Sequence, residues 1–130
     1  MSQDSAFEGT WHSTYWYPSN SHSGEDASEY DVTVRQTGKN QLVLESKHTE
    51  NGSYILIRLS LDDDIATGTW HETTAPEGSF KGMVYSGALQ LIISKDKQRM
   101  EGKWVGIGRD YEKNQPDIYT GRWELTKPTA

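Results

Sequence analysis

The stretch Arg99-Met100-Glu101-Gly102-Lys103-Trp104-Val105-Gly106-Ile107-Gly108 decides the fold. Met100, Gly102, Trp104, Gly106 and Gly108 fall on one side of an extended chain. Glu101, Lys103, Val105 and Ile107 fall on the other. Such alternation is the mark of a strand with one face in a core, and no helical period competes with it. Glycine inside a strand marks a bend or the close approach of another group. Here it stands two residues from a tryptophan, on the same face.

The same Gly-x-Trp unit recurs as Gly9-Thr10-Trp11, Gly68-Thr69-Trp70 and Gly121-Arg122-Trp123, so four of the five tryptophans belong to it. A large ring next to a missing side chain suits the inside of a small barrel, where bulky and small residues alternate. Outward from these units, period two predicts strands near Phe7–Tyr17, Glu29–Gln36, Gln41–Thr49, Ser53–Leu61, Ile65–Thr74, Ser79–Ser86, Ala88–Ser94, Arg99–Arg109 and Ile118–Thr126. Turn chemistry separates them at Thr37–Asn40, Glu50-Asn51-Gly52, Asp62–Asp64, Ala75–Gly78 and Lys95–Gln98. Two longer polar connections, Pro18–Ser28 and Asp110–Asp117, are candidates for a binding mouth. Tight hairpins make successive strands neighbours, and closure removes exposed edges. The expectation is a single all-β domain over residues 1–130. It is an eight-stranded antiparallel up-and-down barrel, with one of the nine segments a bend or lid and flexible ends at 1–6 and 127–130.

Composition narrows the function. The chain has 130 residues and a net charge of −6, from 13 Lys and Arg against 19 Asp and Glu. An acidic balance offers no footprint for a nucleic-acid backbone or an anionic membrane. Without cysteine there are no disulfides or thiolate sites. No apolar run has the length of a membrane span, and the polar start MSQDSA does not read as a signal peptide, so a cytoplasmic location is expected. Only 33% of residues are hydrophobic, yet five Trp, seven Tyr and two Phe are present, so the core is built from a few large rings.

The face shared with the tryptophans carries Ser13, Tyr15 and Tyr17 after Trp11, Glu72 and Thr74 after Trp70, and Tyr119 before Gly121. A lumen that only packs is dominated by Leu, Ile and Val, as the faces Ile55-Ile57-Leu59-Leu61 and Leu89-Leu91-Ile93 are. Polar groups turned inward must bond to each other, to water or to a guest. Two readings stay even: a pocket, or polar groups at a wetted rim. The tryptophans likewise divide between core plugs and stacking walls.

Two resemblances add to this. Phe7-Glu8-Gly9-Thr10-Trp11 resembles the first strand of the calycin superfamily (lipocalins, fatty-acid-binding proteins, avidins), and Gly102–Gly108 is similar to the glycine-rich segment of nitrobindin-type haem barrels. Ala66–Leu125 resembles a domain at the C-terminal end of actinobacterial helix-turn-helix regulators, through Thr67–Trp70, Tyr85–Leu91, Arg99–Gly106 and Trp123-Glu124-Leu125. That position implies sensing of a small molecule, here by a free-standing relative or an excised sensor. The barrel is also similar to receptor barrels of antiphage effectors that bind cyclic nucleotides, which implies a nucleotide-like second messenger as ligand. The acidic charge and an inward Glu72 count against a dianion.

Other chemistry finds few residues. His12, His22, His48 and His71 have no metal-ligand spacing, and His12 and His71 point away from the tryptophan face. No His or Cys follows His71, so a late axial haem ligand has no candidate. No Gly-x-Ser-x-Gly elbow exists, and Gly102–Gly108 has no following helix to grip phosphate. The expectation is a non-enzymatic binding barrel without a cofactor. Trp70, Trp104, Tyr15 and Tyr119 are its stacking walls, and Ser13, Glu72 and Arg109 orient a small organic ligand. Two alternatives stay open: a lumenal hydrolase or isomerase using Glu72 as general acid, and an interaction module with a filled core. Oligomeric state stays open too, since avidin-type barrels assemble and many lipocalin-type barrels do not.

Overall fold

Period-two alternation closes on itself in the computed structural model, which describes residues 6–18, 24–47, 52–73, 84–110 and 115–128, without the side chains at 18, 84 and 108–110. Eight antiparallel strands run in chain order around a closed barrel: β1 Gly9–Pro18, β2 Glu25–Gly38, β3 Gln41–Ser46, β4 Tyr54–Asp62, β5 Ile65–Thr73, β6 Val84–Ile93, β7 Arg99–Asp110 and β8 Gln115–Thr126. β8 returns to β1 through the pairs His12↔Thr126 to Tyr15↔Trp123.

Besides shifts of one to three residues at several ends, three differences from the predicted segments change the architecture. β2 begins at Glu25, inside the segment read as a long connection, because Glu25–Ser28 pairs in register with Tyr15–Pro18. β8 begins at Gln115 for the same reason, opposite Asp110. The segments Ser79–Ser86 and Ala88–Ser94 meet in one strand, β6, over the described residues 84–93. Gly87, read as a break, pairs with Trp70 on one side and Gly106 on the other. The turns at Glu50-Asn51 and Ala75–Gly78 lie outside the described residues, as does Thr74. Gly52 does take the positive φ, +89°, expected of that hairpin.

The two ends of the barrel differ. At the end holding the β2–β3, β4–β5 and β6–β7 turns, the inward residues include Val34, Leu42, Leu59, Ala66, Leu91, Ile93, Met100 and Leu125, all buried. Phe7 and Trp11 stack there at 6.4 Å between ring centroids. Lys127 ties the chain ends together by donating from Nζ to Ala6 O (3.0 Å) and Glu8 O (2.8 Å). At the opposite end, among the described residues, β1 pairs with β8 no further than Tyr15, and β2 pairs with β3 from Val32 onward. Trp16–Pro18 and Glu25–Asp31 therefore form a two-stranded flap that pairs within itself.

The repeated unit now has a physical account. In register, Trp104 of β7 faces Gly121 of β8, and Trp123 of β8 faces Gly102 of β7. Trp70 of β5 faces Gly87 of β6. The Trp104 indole lies against Gly121 and the Trp70 indole against Gly87 and Gly106, each using the space of a missing side chain on a neighbouring strand. The space is fully used: a Cβ on Gly121 would lie 2.1 Å from Trp16 O, and one on Gly87 would lie 1.9 Å from Val105 O.

Candidate functional site

At the flap end, three buried or half-buried hydroxyls converge on one carboxylate. Glu72 is the penultimate residue of β5 and turns inward by strict alternation from Trp70. Across the lumen, Tyr15 of β1 and Tyr30 and Ser28 of β2 turn inward as well. Tyr15 donates its hydroxyl hydrogen bond to Glu72 Oε1. Tyr30 donates to Oε2 at 2.6 Å, and Ser28 reaches the same oxygen at 3.3 Å. Glu72 is 6% exposed. Its three bonds draw the β1–β2 flap down onto β5, a strand with which neither β1 nor β2 pairs.

Burial raises the ionisation of Tyr15 well above the ordinary tyrosine range, and the charge of Glu72 raises it further. Burial also raises Tyr30, together with its hydrogen bond to Glu72. Both hydroxyls thus stay protonated and remain donors. Tyr17, half-buried beside Tyr15 at 5.7 Å, is raised by burial and then by the negative charges of Asp26 and Glu72.

Beneath the carboxylate lies a ring cluster. Tyr15 packs on Trp123 at 4.6 Å, on Trp104 at 5.8 Å and on Trp70 at 6.1 Å, and Trp70 meets Trp104 edge-on at 5.5 Å. Edge-to-face and tilted contacts of this kind add to the stabilisation from burial alone. Each indole N–H of the four repeated units has an internal acceptor. Trp11 donates to Phe7 O (2.7 Å), Trp123 to Ser13 Oγ (2.8 Å), Trp104 to Trp16 O (2.9 Å), and Trp70 to Ala88 O (3.2 Å) and Val105 O (3.3 Å).

The residues expected to hold a ligand therefore fall into three groups. Tyr15 and Glu72 are joined in the hydroxyl–carboxylate network. Trp70 and Trp104 lie under it, packed against Tyr15 and against each other, and Ser13 is buried one layer deeper as the acceptor for Trp123. Tyr119 is half-buried against the core at the same end, opposite Gly106. Arg109 sits near the end of β7 opposite Pro116, and its side chain lies outside the described residues. Tyr30 and Ser28 complete the network and were not singled out from sequence. Val32 and Val34 place Tyr30 inward by alternation, so the signal for it was present. Ser28 was hidden in a segment read as a connection.

His12 and His71 lie on the outer face as expected. His12 sits between Asp31 (Nδ1–Oδ1 3.0 Å) and Glu29 (Nε2–Oε1 2.9 Å). His22 and His48 lie outside the described residues. No group of three or more His, Asp or Glu among the described residues could hold a metal ion, and no helix among them is long and apolar enough to cross a membrane. No protein-family model, curated protein or solved structure matches the chain.

Proposed function

We propose that this barrel is a binding protein for a small organic ligand, taken up at the flap end. The observation that carries the reading is the Glu72 network. Of the three buried polar residues among those described, Ser13 accepts from the Trp123 indole and Ser46 accepts from Ile55 N at 2.9 Å. Both complete the core. Glu72 instead brings an ionisable group into the lumen, where burying a charge is costly. A chain that needed only a plug could have used the Leu and Ile of β4 and β6. Among the described residues the ladders of β1 with β8 and of β2 with β3 do not extend to the flap that roofs Glu72, which the barrel holds instead through the Glu72 bonds and through the Trp104 indole on Trp16 O.

Binding without chemistry fits the partners of Glu72. Each of them among the described residues is a hydroxyl, and general acid–base work would ask for a second titrating group at the reacting position. The ligand sits above Tyr15, with Tyr17, Ser28 and Tyr119 around it and Trp70 and Trp104 as the floor under Tyr15. A sensor role and the calycin-like kinship belong to this same proposal. A nucleotide second messenger is the weaker ligand class, because the carboxylate opposes a dianion.

An interaction module with a filled core is the second reading, supported by the internal acceptors of all four indoles. One experiment separates the two: tryptophan fluorescence and thermal shift against nucleotides, cyclic dinucleotides, flavins, amines and lipids. Ligand at a hundredfold excess over Kd adds about 2.7 kcal/mol of stability. A saturable shift is expected with at least one class. Silence across the panel from a folded protein would overturn the binding reading and leave the filled module.

A further inference from the structure

The network has a charge imbalance. Glu72 is nearly buried, and its three donors, Tyr15, Tyr30 and Ser28, are neutral. The ion pairs seen between described residues lie elsewhere, on His12, Arg35 and Arg99, all on the outer surface. Three hydroxyls satisfy the hydrogen-bonding capacity of a carboxylate but not its charge. Hydroxyls that stay protonated lend it no positive charge either.

Three further features share its sign. Aromatic ring faces are electronegative, and Tyr15 and Tyr17 stand side by side next to the carboxylate. The hydroxyl of Tyr17 lies in the field of both Asp26 and Glu72. The whole chain carries −6, which steers cations toward it and anions away. The weakest of the three bonds to Glu72, at 3.3 Å, comes from half-buried Ser28. That side of the carboxylate is therefore the one a guest reaches most easily.

Resting on the binding reading above, we infer that the ligand is an organic ammonium cation, seated against Glu72 from the Ser28 side with its apolar part on the Tyr15 and Tyr17 rings. An ammonium donates to Oε2 in place of the long Ser28 bond and brings a positive charge that none of the described partners of Glu72 carries. A ring-bearing amine also stacks. A desolvated cation against an aromatic face adds attraction that a neutral isostere lacks.

The test uses three probes that share one phenol ring and differ in charge: tyramine, tyrosol and para-hydroxyphenylacetate. Each is titrated into the full chain labelled with nitrogen-15. The indole N–H signals of Trp70 and Trp104 and the amides of Tyr15, Ser28 and Glu72 are followed. Tyramine should bind at least about tenfold more tightly than tyrosol, and the acid should not bind. Glu72→Gln should remove the preference for tyramine over tyrosol. If that variant fails to fold, the three affinities on the wild-type protein still decide. Tyrosol or the acid binding as well as tyramine would overturn the cation inference and leave the binding reading standing. Silence from all three would overturn the inference as well, and the binding reading would then fall only with silence across the wider panel.

Discussion

Gly121→Ala tests how the barrel is closed. The ladder between β1 and β8 ends at Tyr15↔Trp123. Just beyond it, the Trp104 indole reaches from β7 across Gly121 to Trp16 O of β1, a bond of 2.9 Å. A Cβ at residue 121 would lie 2.1 Å from Trp16 O and 2.8 Å from Trp104 Nε1. One of these is backbone and the other belongs to a buried ring, so neither yields as a flexible side-chain end would. Either β1 moves away from β8 or the indole withdraws and leaves its N–H without an acceptor.

Overpacking a core costs about 1–3 kcal/mol, and a buried donor without a partner costs about 1–3 kcal/mol more. Losing the glycine's unfolded-state entropy returns about 0.4–1 kcal/mol. The net loss is about 1–5.5 kcal/mol, set against the roughly 5–15 kcal/mol that holds a domain folded. Urea unfolding followed by tryptophan fluorescence measures it. Near-ultraviolet circular dichroism should change as well, because Trp104 stands edge-on to Trp70 at 5.5 Å. Gly38→Ala is the control. Its added Cβ would meet nothing closer than Gln41 Oε1 at 3.5 Å, so it should be neutral or slightly stabilising. Gly121→Ala within about 0.5 kcal/mol of wild type, with unchanged dichroism, would refute the account of the seam.

Ser13→Ala should cost about 1–3 kcal/mol by stranding the buried Trp123 N–H. In a Trp123→Phe background the same change should cost clearly less, as a double-mutant cycle in urea would read. His12 is raised above its ordinary value by its hydrogen bonds to Asp31 and then Glu29. Its contribution is therefore fully present below about pH 6.5 and lost as pH rises through the raised folded value. With the His12 side chain 41% exposed, His12→Gln should lower stability near pH 5 by no more than about 0.5 kcal/mol and change nothing near pH 9. A proton resonance titration that places His12 at or below 6.5 would contradict this.

Alternation made the barrel legible because each strand has one wet face and one dry face. Ile55-Ile57-Leu59 and Leu89-Leu91-Ile93 could hardly lie any other way. The method failed where both faces are polar. Glu25-Asp26-Ala27-Ser28 has no hydrophobic residue larger than alanine to mark a face, so its place in β2 depends on pairing with Tyr15–Pro18. Gln115-Pro116-Asp117 is the same case in β8. Gly87 misled for a different reason: a missing side chain reads as a break, while here it makes room for an indole from the next strand. Tyr15 and Glu72 were picked from one face each. That they touch follows from the diameter of the barrel, since β1 and β5 are far apart in strand order and only long side chains meet across the lumen. The acceptors of the indoles were hidden as well, because they depend on which carbonyl the register brings over which glycine.

The division of labour along the barrel axis narrows what Glu72 is for. The tryptophans of the repeated units close the wall: Trp70 and Trp104 lie against glycines, and all four spend their N–H on the protein. That leaves them as a rigid floor for whatever sits above Tyr15. With rigidity below, lifting the flap would exchange the hydroxyl–carboxylate contacts and strain the Trp104 bond to Trp16 O. Glu72 is thus both the clasp of the flap and an ionisable group turned into the lumen. A guest that satisfies its charge must compete with the hydroxyls that hold the flap down. Under the proposed binding reading, uptake and flap release are one exchange of partners on Glu72. A cation can make that exchange without leaving the carboxylate bare, whereas a neutral guest of the same shape would displace a hydroxyl and leave the charge as it was.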